Sequence, residues 1–315
     1  MAANRNRGGP PDLARFKFRV GCIAVIRYIC NYMIRFFVSL SADAATMQRR
    51  VLIIDDHDDL ASSLRRVLRS FGHEVSILEN RDEALAVDDL EDYDLVITDL
   101  DVDAADTEPV SNGLGARCLP SCTTKPSGAE RIKAFKICAT NFRDVESHED
   151  ELQSLVETIL DFKIQFVDHD NSVQDLRENI EFELPSSIGV MHSILEYLLR
   201  RVELMGVVKT EQSNLFVALD EAFVNAVKHG NKFDSKKLVR VTAEVSSQEA
   251  RFTIEDEGEG FDVNSIPDPL DPQNLFKTSG RGVLFIYNIM DEVKYNERGN
   301  RLTMIKRSES AEQPA

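Results

Sequence analysis

Cysteine is scarce in this chain of 315 residues: there are five, at 22, 30, 118, 122 and 138, odd in number and scattered. That usage excludes a disulfide framework and fits a reducing compartment. Cys118 and Cys122 stand at x3 spacing without a second Cys or His pair, so a zinc site is not indicated. An uninterrupted hydrophobic span is missing as well. Residues 20–40 are apolar behind a basic flank, but Arg27 and Arg35 break the run. An arginine near the middle of a span costs roughly 2.5–3.5 kcal/mol, which offsets much of the apolar gain and argues against membrane insertion. Positive charge is also short, with 37 Lys and Arg against 54 Asp and Glu and a formal charge of −17. Residues 1–46 hold seven Lys and Arg against two Asp, which leaves about −22 on residues 47–315. A body that acidic does not steer toward phosphate backbones, so nucleic acid is not an expected partner.

What is present suits two domains of ordinary size, with 43% hydrophobic residues to fill two cores. In the segment 214–229, Phe216, Leu219, Phe223 and Ala226 recur at helical spacing, with Glu221, Asn225 and Lys228 on the other face. Glu221 and Asn225 lie one turn apart, so a carboxylate and an amide oxygen can address one ligand or hydrated cation. Farther on, RFTIED alternates so that Phe252, Ile254 and Asp256 share a strand face, and a carboxylate in phase with apolar residues needs a partner. Gly258 and Gly260 follow, where a backbone must turn tightly or admit a planar ligand. Gly280, Arg281 and Gly282 then open an apolar helix whose free N–H groups suit phosphate.

In this order and spacing, ALDEAFVNAVKHGN (218–231), IEDEGEGFD (254–262) and SGRGVLFIYNIMDEV (279–293) resemble the N, G1 and G2 boxes of the GHKL ATPase superfamily. The ELPSS entry at 183–187 and the DPLDPQNLFKTSGRG stretch at 268–282 look most like the anti-sigma-factor serine/threonine kinase branch. The resemblance implies an α/β two-layer sandwich (Bergerat fold) over 171–309, using ATP and Mg²⁺. It implies Glu221 as general base, Asn225 as Mg²⁺ ligand and Asp256 as acceptor for adenine. Gly258 and Gly260 would floor the pocket, Gly280, Arg281 and Gly282 would close on the phosphates, and 263–279 would form a lid. Base, metal ligand and phosphate-facing amides suffice for phosphoryl transfer, which is mostly positioning and charge stabilisation. Lys228 and His229 read as solvated helix-end residues. His192 sits within the first helix of this domain and lacks the His-Glu pair and helical hairpin of an autokinase.

Upstream, VLII at 51–54 is a buried-strand run ending in Asp55 and Asp56, and DLVIT at 94–98 ends at Asp99. Between them come a helix carrying Leu60, Leu64, Val67 and Leu68, the strand EVSIL at 74–78 and a helix at 81–88. This alternation predicts a doubly wound parallel sheet with ligands beyond the carboxyl strand ends. It resembles a flavodoxin-like response-regulator receiver over 47–170, with an insertion at about 101–130. The resemblance implies Asp55, Asp56 and Asp99 as the metal set and Asp99 as phosphoacceptor, charged by a cognate histidine kinase. KAFKICAT and LDFKIQF are expected to be strands that offer Thr140 and Lys163 as switch residues. Asp101, Asp103 and Asp106 read as a solvated acidic loop.

Residues 1–46 are expected to come from translated upstream sequence, the natural start being Met47, with a disordered or membrane-associated leader as the alternative, and 310–315 form a tail. The combined expectation is a cytoplasmic signalling protein in which a receiver controls a serine/threonine kinase. The resemblance implies a STAS-type anti-sigma-factor antagonist as substrate, a sigma factor as a further partner, and a possible homodimer. A non-catalytic ATP-binding module that sequesters its partner, and a histidine-kinase fragment, are the competing readings.

Overall fold

The N-terminal strands are apolar on both faces, whereas the C-terminal strands alternate. Val51, Leu52, Ile53 and Ile54 of β1 (Arg50–Asp55) are all buried, while β7 (Glu249–Asp256) buries every second residue. The first pattern belongs to strands covered on both sides and the second to a sheet packed on one side. The computed structural model describes residues 47–57, 59–87, 90–102, 119–120, 131–142, 145–168, 176–209, 213–263 and 281–308. The leader, most of the 101–130 insertion, residues 264–279 of the expected lid and the tail lie outside the described residues, as do Cys22, Cys30, Cys118, Cys122, Asp103, Asp106 and Gly280.

After β1 come α1 (Ala61–Ser70), β2 (Glu74–Leu78), α2 (Arg81–Leu85), β3 (Leu95–Val102), β4 (Arg131–Cys138) and α3 (Val145–Phe162). The chain continues with β5 (Leu176–Pro185), α4 (Gly189–Leu204), α5 (Leu215–Val224), β6 (Leu238–Val245) and β7. It closes with α6 (Arg281–Ile289), β8 (Glu292–Tyr295) and β9 (Arg301–Arg307). The strands form one sheet in the order β2-β1-β3-β4-β5-β6-β7-β9-β8.

β1 pairs with β2 and β3 in parallel. A receiver would continue in parallel through KAFKICAT and LDFKIQF, and here the structure corrects the expectation. β4 runs antiparallel to β3, with Asp99 opposite Phe135 and Val96 opposite Cys138. LDFKIQF is helical: α3 ends at Phe162 and passes into a π-helical turn over Lys163–Val167. The buried positions Leu152, Leu155, Val156, Ile159, Leu160 and Lys163 explain why, since they recur at helical spacing and hold the segment in phase with the helix before it. β4 then pairs in parallel with β5, so the sheet crosses the expected boundary at residue 170 without a break.

One apolar cluster runs beneath α1, α3, α4, α5 and α6, from Val51 and Ile97 through Phe135 and Phe182 to Phe252 and Met304. A smaller cluster, with Leu52, Ile54, Val96, Ala134 and Cys138, lies on the opposite face of the N-terminal strands. At the join, Phe135 of β4, Phe182 of β5 and Tyr197 of α4 meet with ring centroids 5.8–6.3 Å apart. Phe182→Ala is expected to cost about 3–5 kcal/mol. Because sheet and core are shared, calorimetry should show both halves still melting in one transition, shifted downward; two separated transitions would show that the halves fold independently.

Candidate functional site

The helical stripe expected over 214–229 is α5 followed by a π-helical turn over Asn225–Gly230. Leu215, Ala218, Leu219, Ala222 and Phe223 face the core, which leaves Glu221 and Asn225 half-buried on the other side. The first turn of α6 lies directly against Glu221: a Cβ on Gly282 would collide with its carboxylate. Gly282 therefore admits α6 onto the acid. Burial pushes the Tyr295 phenol up to about 12, and the Tyr287 and Glu221 charges add to that rise.

Asp256 ends β7 and is buried. Its backbone is held on both sides by Asn300, whose carbonyl accepts from Asp256 N at 3.0 Å and whose Nδ2 donates to Asp256 O at 2.7 Å. Its Oδ1 accepts from Gly258 N at 2.8 Å. Burial pushes the Asp256 carboxyl up from its ordinary value, against the pull of the Gly258 N–H. Side chains are excluded all round it. A Cβ on Gly230 would strike the Asp256 carboxylate, and one on Gly258 would strike the Gly230 carbonyl. Gly260, at φ +76, packs so closely on the Arg298 carbonyl that no larger residue fits. Arg298 Nη2 in turn donates to Gly258 O at 2.7 Å.

The residue that ties these pieces together is one to which the sequence motifs give no role of its own. Asn231 is fully buried. Its Oδ1 accepts from Glu257 N at 2.9 Å, and its Nδ2 donates to Leu238 O at 2.9 Å and Ser186 Oγ at 3.3 Å. It thus pins the end of the α5 turn to the strand end that bears Asp256. Glu257 is held further by Arg240 Nη2 at 2.9 Å, and Arg240 by Glu183 at 3.0 Å. Lys232 and Phe233 follow Asn231 with φ of 58° and 59°, left-handed values that non-glycine residues rarely adopt. An asparagine directly before such a turn was the signal available in the sequence.

The expected residues Glu221, Asn225, Asp256, Gly258, Gly260 and Gly282 all belong to this region, and Arg281 opens α6. Glycine backbone packed beside a buried carboxylate is chemically suited to a flat ligand with an amino group. The acid and amide of the α5 face, with the opening turn of α6 laid over them, suit a phosphate tail and a hydrated cation.

The N-terminal acids are arranged differently. Asp55 Oδ2 accepts from Leu60 N at 2.8 Å and Ala61 N at 2.7 Å, and its Oδ1 from His57 N at 3.1 Å. Asp56 bonds His57 Nδ1 and accepts from Asp101 N at 3.0 Å. That Asp56 bond is the main reason why the His57 imidazole is held above its ordinary range. Asp99 faces Lys163, with Nζ to Oδ2 at 2.7 Å. The metal set expected of Asp55, Asp56 and Asp99 therefore does not fit: these carboxylates are committed to helix amides, an imidazole and an ammonium. No group of three or more His, Cys, Asp or Glu among the described residues is placed to hold a metal ion. Thr140 is corrected too. It follows β4, whose antiparallel course puts Cys138 opposite Val96, at the far end of β3 from Asp101. Lys163 reaches Asp99 as expected, but from a helical turn.

The chain matches the family described as the histidine kinase-like ATPase domain over residues 184–306. It is 30% identical over 142 residues to the serine-protein kinase RsbW of Staphylococcus epidermidis, covering 42% of this chain and 89% of that protein. The RsbW of Staphylococcus aureus strain Newman matches the same shares at 25% identity. The chain belongs to the histidine kinase-like ATPase family. Within that family its C-terminal half is similar to the RsbW serine-protein kinases. A solved structure of the RsbU and RsbW domains of a Mycobacterium tuberculosis protein matches at 17% identity and a TM-score of 0.29, over 41% of this chain and 32% of that one. That likeness is too slight to speak to the fold.

Among the described residues no helix is long and apolar enough to cross a membrane. Asn231→Ala leaves the Glu257 N–H and Leu238 carbonyl without their buried partner, and is expected to lower unfolding stability by about 2–4 kcal/mol in denaturant titrations. A variant as stable as the parent would mean that the clamp is dispensable.

Proposed function

We propose that this protein is an ATP-dependent serine/threonine kinase acting on a small STAS-type anti-sigma-factor antagonist, with a sigma factor as a further partner. The observation that carries the reading is the close packing of the Gly230 and Gly258 backbone on the Asp256 carboxylate, together with the first turn of α6 on Glu221. The RsbW relatives are serine-protein kinases, which points the same way.

In this reading Asp256 accepts a hydrogen bond from the exocyclic amine of adenine, and Gly258 and Gly260 floor the ring. Asn225 would hold Mg²⁺, which would neutralise phosphate charge. The backbone of Arg281 and Gly282 would face the phosphate tail, with Gly280 expected to join them. Glu221 takes the proton from the substrate hydroxyl as that oxygen bonds to the γ-phosphorus and the bond to the bridging oxygen breaks, releasing ADP. A module that merely sequesters its partner has no use for a base, so the presence of Glu221 favours transfer. His192 is exposed, paired with Glu196 at 3.2 Å and packed edge-on against Phe216, an ordinary helix-face role.

The reading also makes Asp99 the acceptor of a phosphoryl group from a cognate histidine kinase: a carboxylate oxygen bonds to phosphorus as the bond to the imidazole nitrogen breaks. The Lys163 ammonium at 2.7 Å supports this, since it can neutralise added charge.

The kinase assay combines the protein, γ-labelled ATP, Mg²⁺ and a STAS-type protein from the same organism. Acid-stable label on that protein, lowered about 10²–10⁴-fold in Glu221→Ala with nucleotide binding retained, is the expected result. Binding without transfer in the parent would favour the sequestering module instead. Nucleotide affinity should also depend on pH with a defined sign. The Asp256 carboxylate is the accepting form, so affinity holds above its raised pKa and falls as pH drops through it, earlier than for an exposed aspartate. In Asp256→Asn that pH dependence should vanish and affinity should fall about 10–100-fold, read by calorimetric titration.

A further inference from the structure

A row of buried charges connects the two halves of the molecule on the helix-covered side of the sheet. Asp99 Oδ2 meets Lys163 Nζ at 2.7 Å, and the same Nζ lies 3.4 Å from Asp168 Oδ1. Asp168 Oδ2 lies 3.3 Å from Arg201 Nη1 and accepts from the Tyr197 hydroxyl at 3.2 Å. Arg201 completes the row with a two-pronged bond to Glu178, its Nε at 2.8 Å from Oε2 and its Nη2 on Oε1. Asp99 stands on β3 and Lys163 follows α3, whereas Arg201 and Tyr197 belong to α4 and Glu178 to β5. Lys163, Asp168, Arg201 and Glu178 are all at most 8% exposed.

Signs alternate along this row, and its two cations face three carboxylates. The outer contacts are tight, while the two ion pairs made by Asp168 are longer. Coulomb energies in a buried setting are several-fold those in water, so each cation position answers to the sum of its neighbours. A phosphoryl group on Asp99 adds negative charge and draws Lys163 away from Asp168. Neutralising Asp99 does the reverse and releases Lys163 onto Asp168. Either change alters what Asp168 offers to Arg201 and Tyr197, both on α4. α4 packs on α5, where His192 meets Phe216 with centroids 5.8 Å apart, and α5 carries Glu221 and leads into the turn that begins at Asn225. Lys163 also lies 4.7 Å above the Phe135 ring, so its movement is felt in the shared core.

We propose that Asp168 is the junction through which the charge on Asp99 sets the position of α4, and through it the α5 face of the ATPase site. As regulation of the kinase site, this rests on the ATP-binding reading above; the coupling between Asp99 and α4 can be read without nucleotide. Hydrogen–deuterium exchange of the full chain, with Asp99→Asn, Asp168→Asn and the double variant, isolates it. Circular dichroism checks that each variant is folded, and Lys163→Met stands in for Asp168→Asn if that variant is not.

Asp99→Asn is expected to change exchange in the peptide spanning 189–204 by about 5-fold or more, within the usual range of coupling between sites. In the Asp168→Asn background the same substitution should leave that peptide unchanged. A purely structural role for Asp168 would make the two effects add. Exchange in 189–204 that ignores Asp99→Asn, or a response that survives Asp168→Asn, overturns the proposal. Titration with an ATP analogue and Mg²⁺ separates the two layers. If α4 responds but the parent binds no nucleotide, the coupling stands and the ATPase reading fails. If the parent binds nucleotide but α4 is silent, the reverse holds.

Discussion

The parallel pairing of β4 with β5 is the contact on which the rest of the molecule turns. It sets Ile137 beside Phe182 and Phe135 beside Ile180, so the first strand of the ATPase half enters the sheet begun by β1, β2 and β3. Because the two halves share strands, they share a core, and Tyr197 packs on aromatic rings from both. The same register puts Lys136 of β4 3.1 Å from Glu181 of β5 on one face and opens the other to the row running from Asp99 to Glu178. Burial acts to lower the Lys163 ammonium, but the Asp99 and Asp168 carboxylates outweigh it and hold it above its ordinary value. Isolated buried charges are costly, and alternation is what makes a row of five tolerable.

At the other end of the sheet the governing constraint is proximity. Gly230 and Gly258 lie so close to Asp256 that neither has room for a side chain, and Gly260 is held as tightly on the Arg298 carbonyl. Asn231 supplies the bonds that hold the approach, and Arg240 and Glu183 carry the hold back across β6 to β5. The packing around Asp256 is thus made by turns at the strand ends and anchored on the sheet through Arg240 and Glu183. Gly282 applies the same device on the helix side, where its missing side chain admits α6 onto Glu221.

The parts of this arrangement that were legible in the sequence are those with a local period. The apolar run at 51–54, the alternation through Phe252, Ile254 and Asp256 and the stripe on α5 each follow from which residues face the core. What was not legible depends on partners far apart in the chain. The direction of β4 leaves no trace in RIKAFKIC, because a strand buried on both faces reads the same in either orientation. LDFKIQF, a short apolar run, fits a strand or a helix until the buried positions before it are known. Asp168, Glu178 and Arg201 look like ordinary surface charges until the fold places them beside one another. Asn231 was in plain view, but its partners Glu257, Leu238 and Ser186 are brought to it only by the sheet.

The most direct measurement is a crystal structure of the protein with Mg²⁺ and a non-hydrolysable ATP analogue. The account predicts the adenine amine within hydrogen-bonding distance of Asp256, the ring over Gly258 and Gly260, and the triphosphate between Asn225 and the first turn of α6. Nucleotide bound elsewhere, or a bound base that leaves Asp256 without contact, would contradict it.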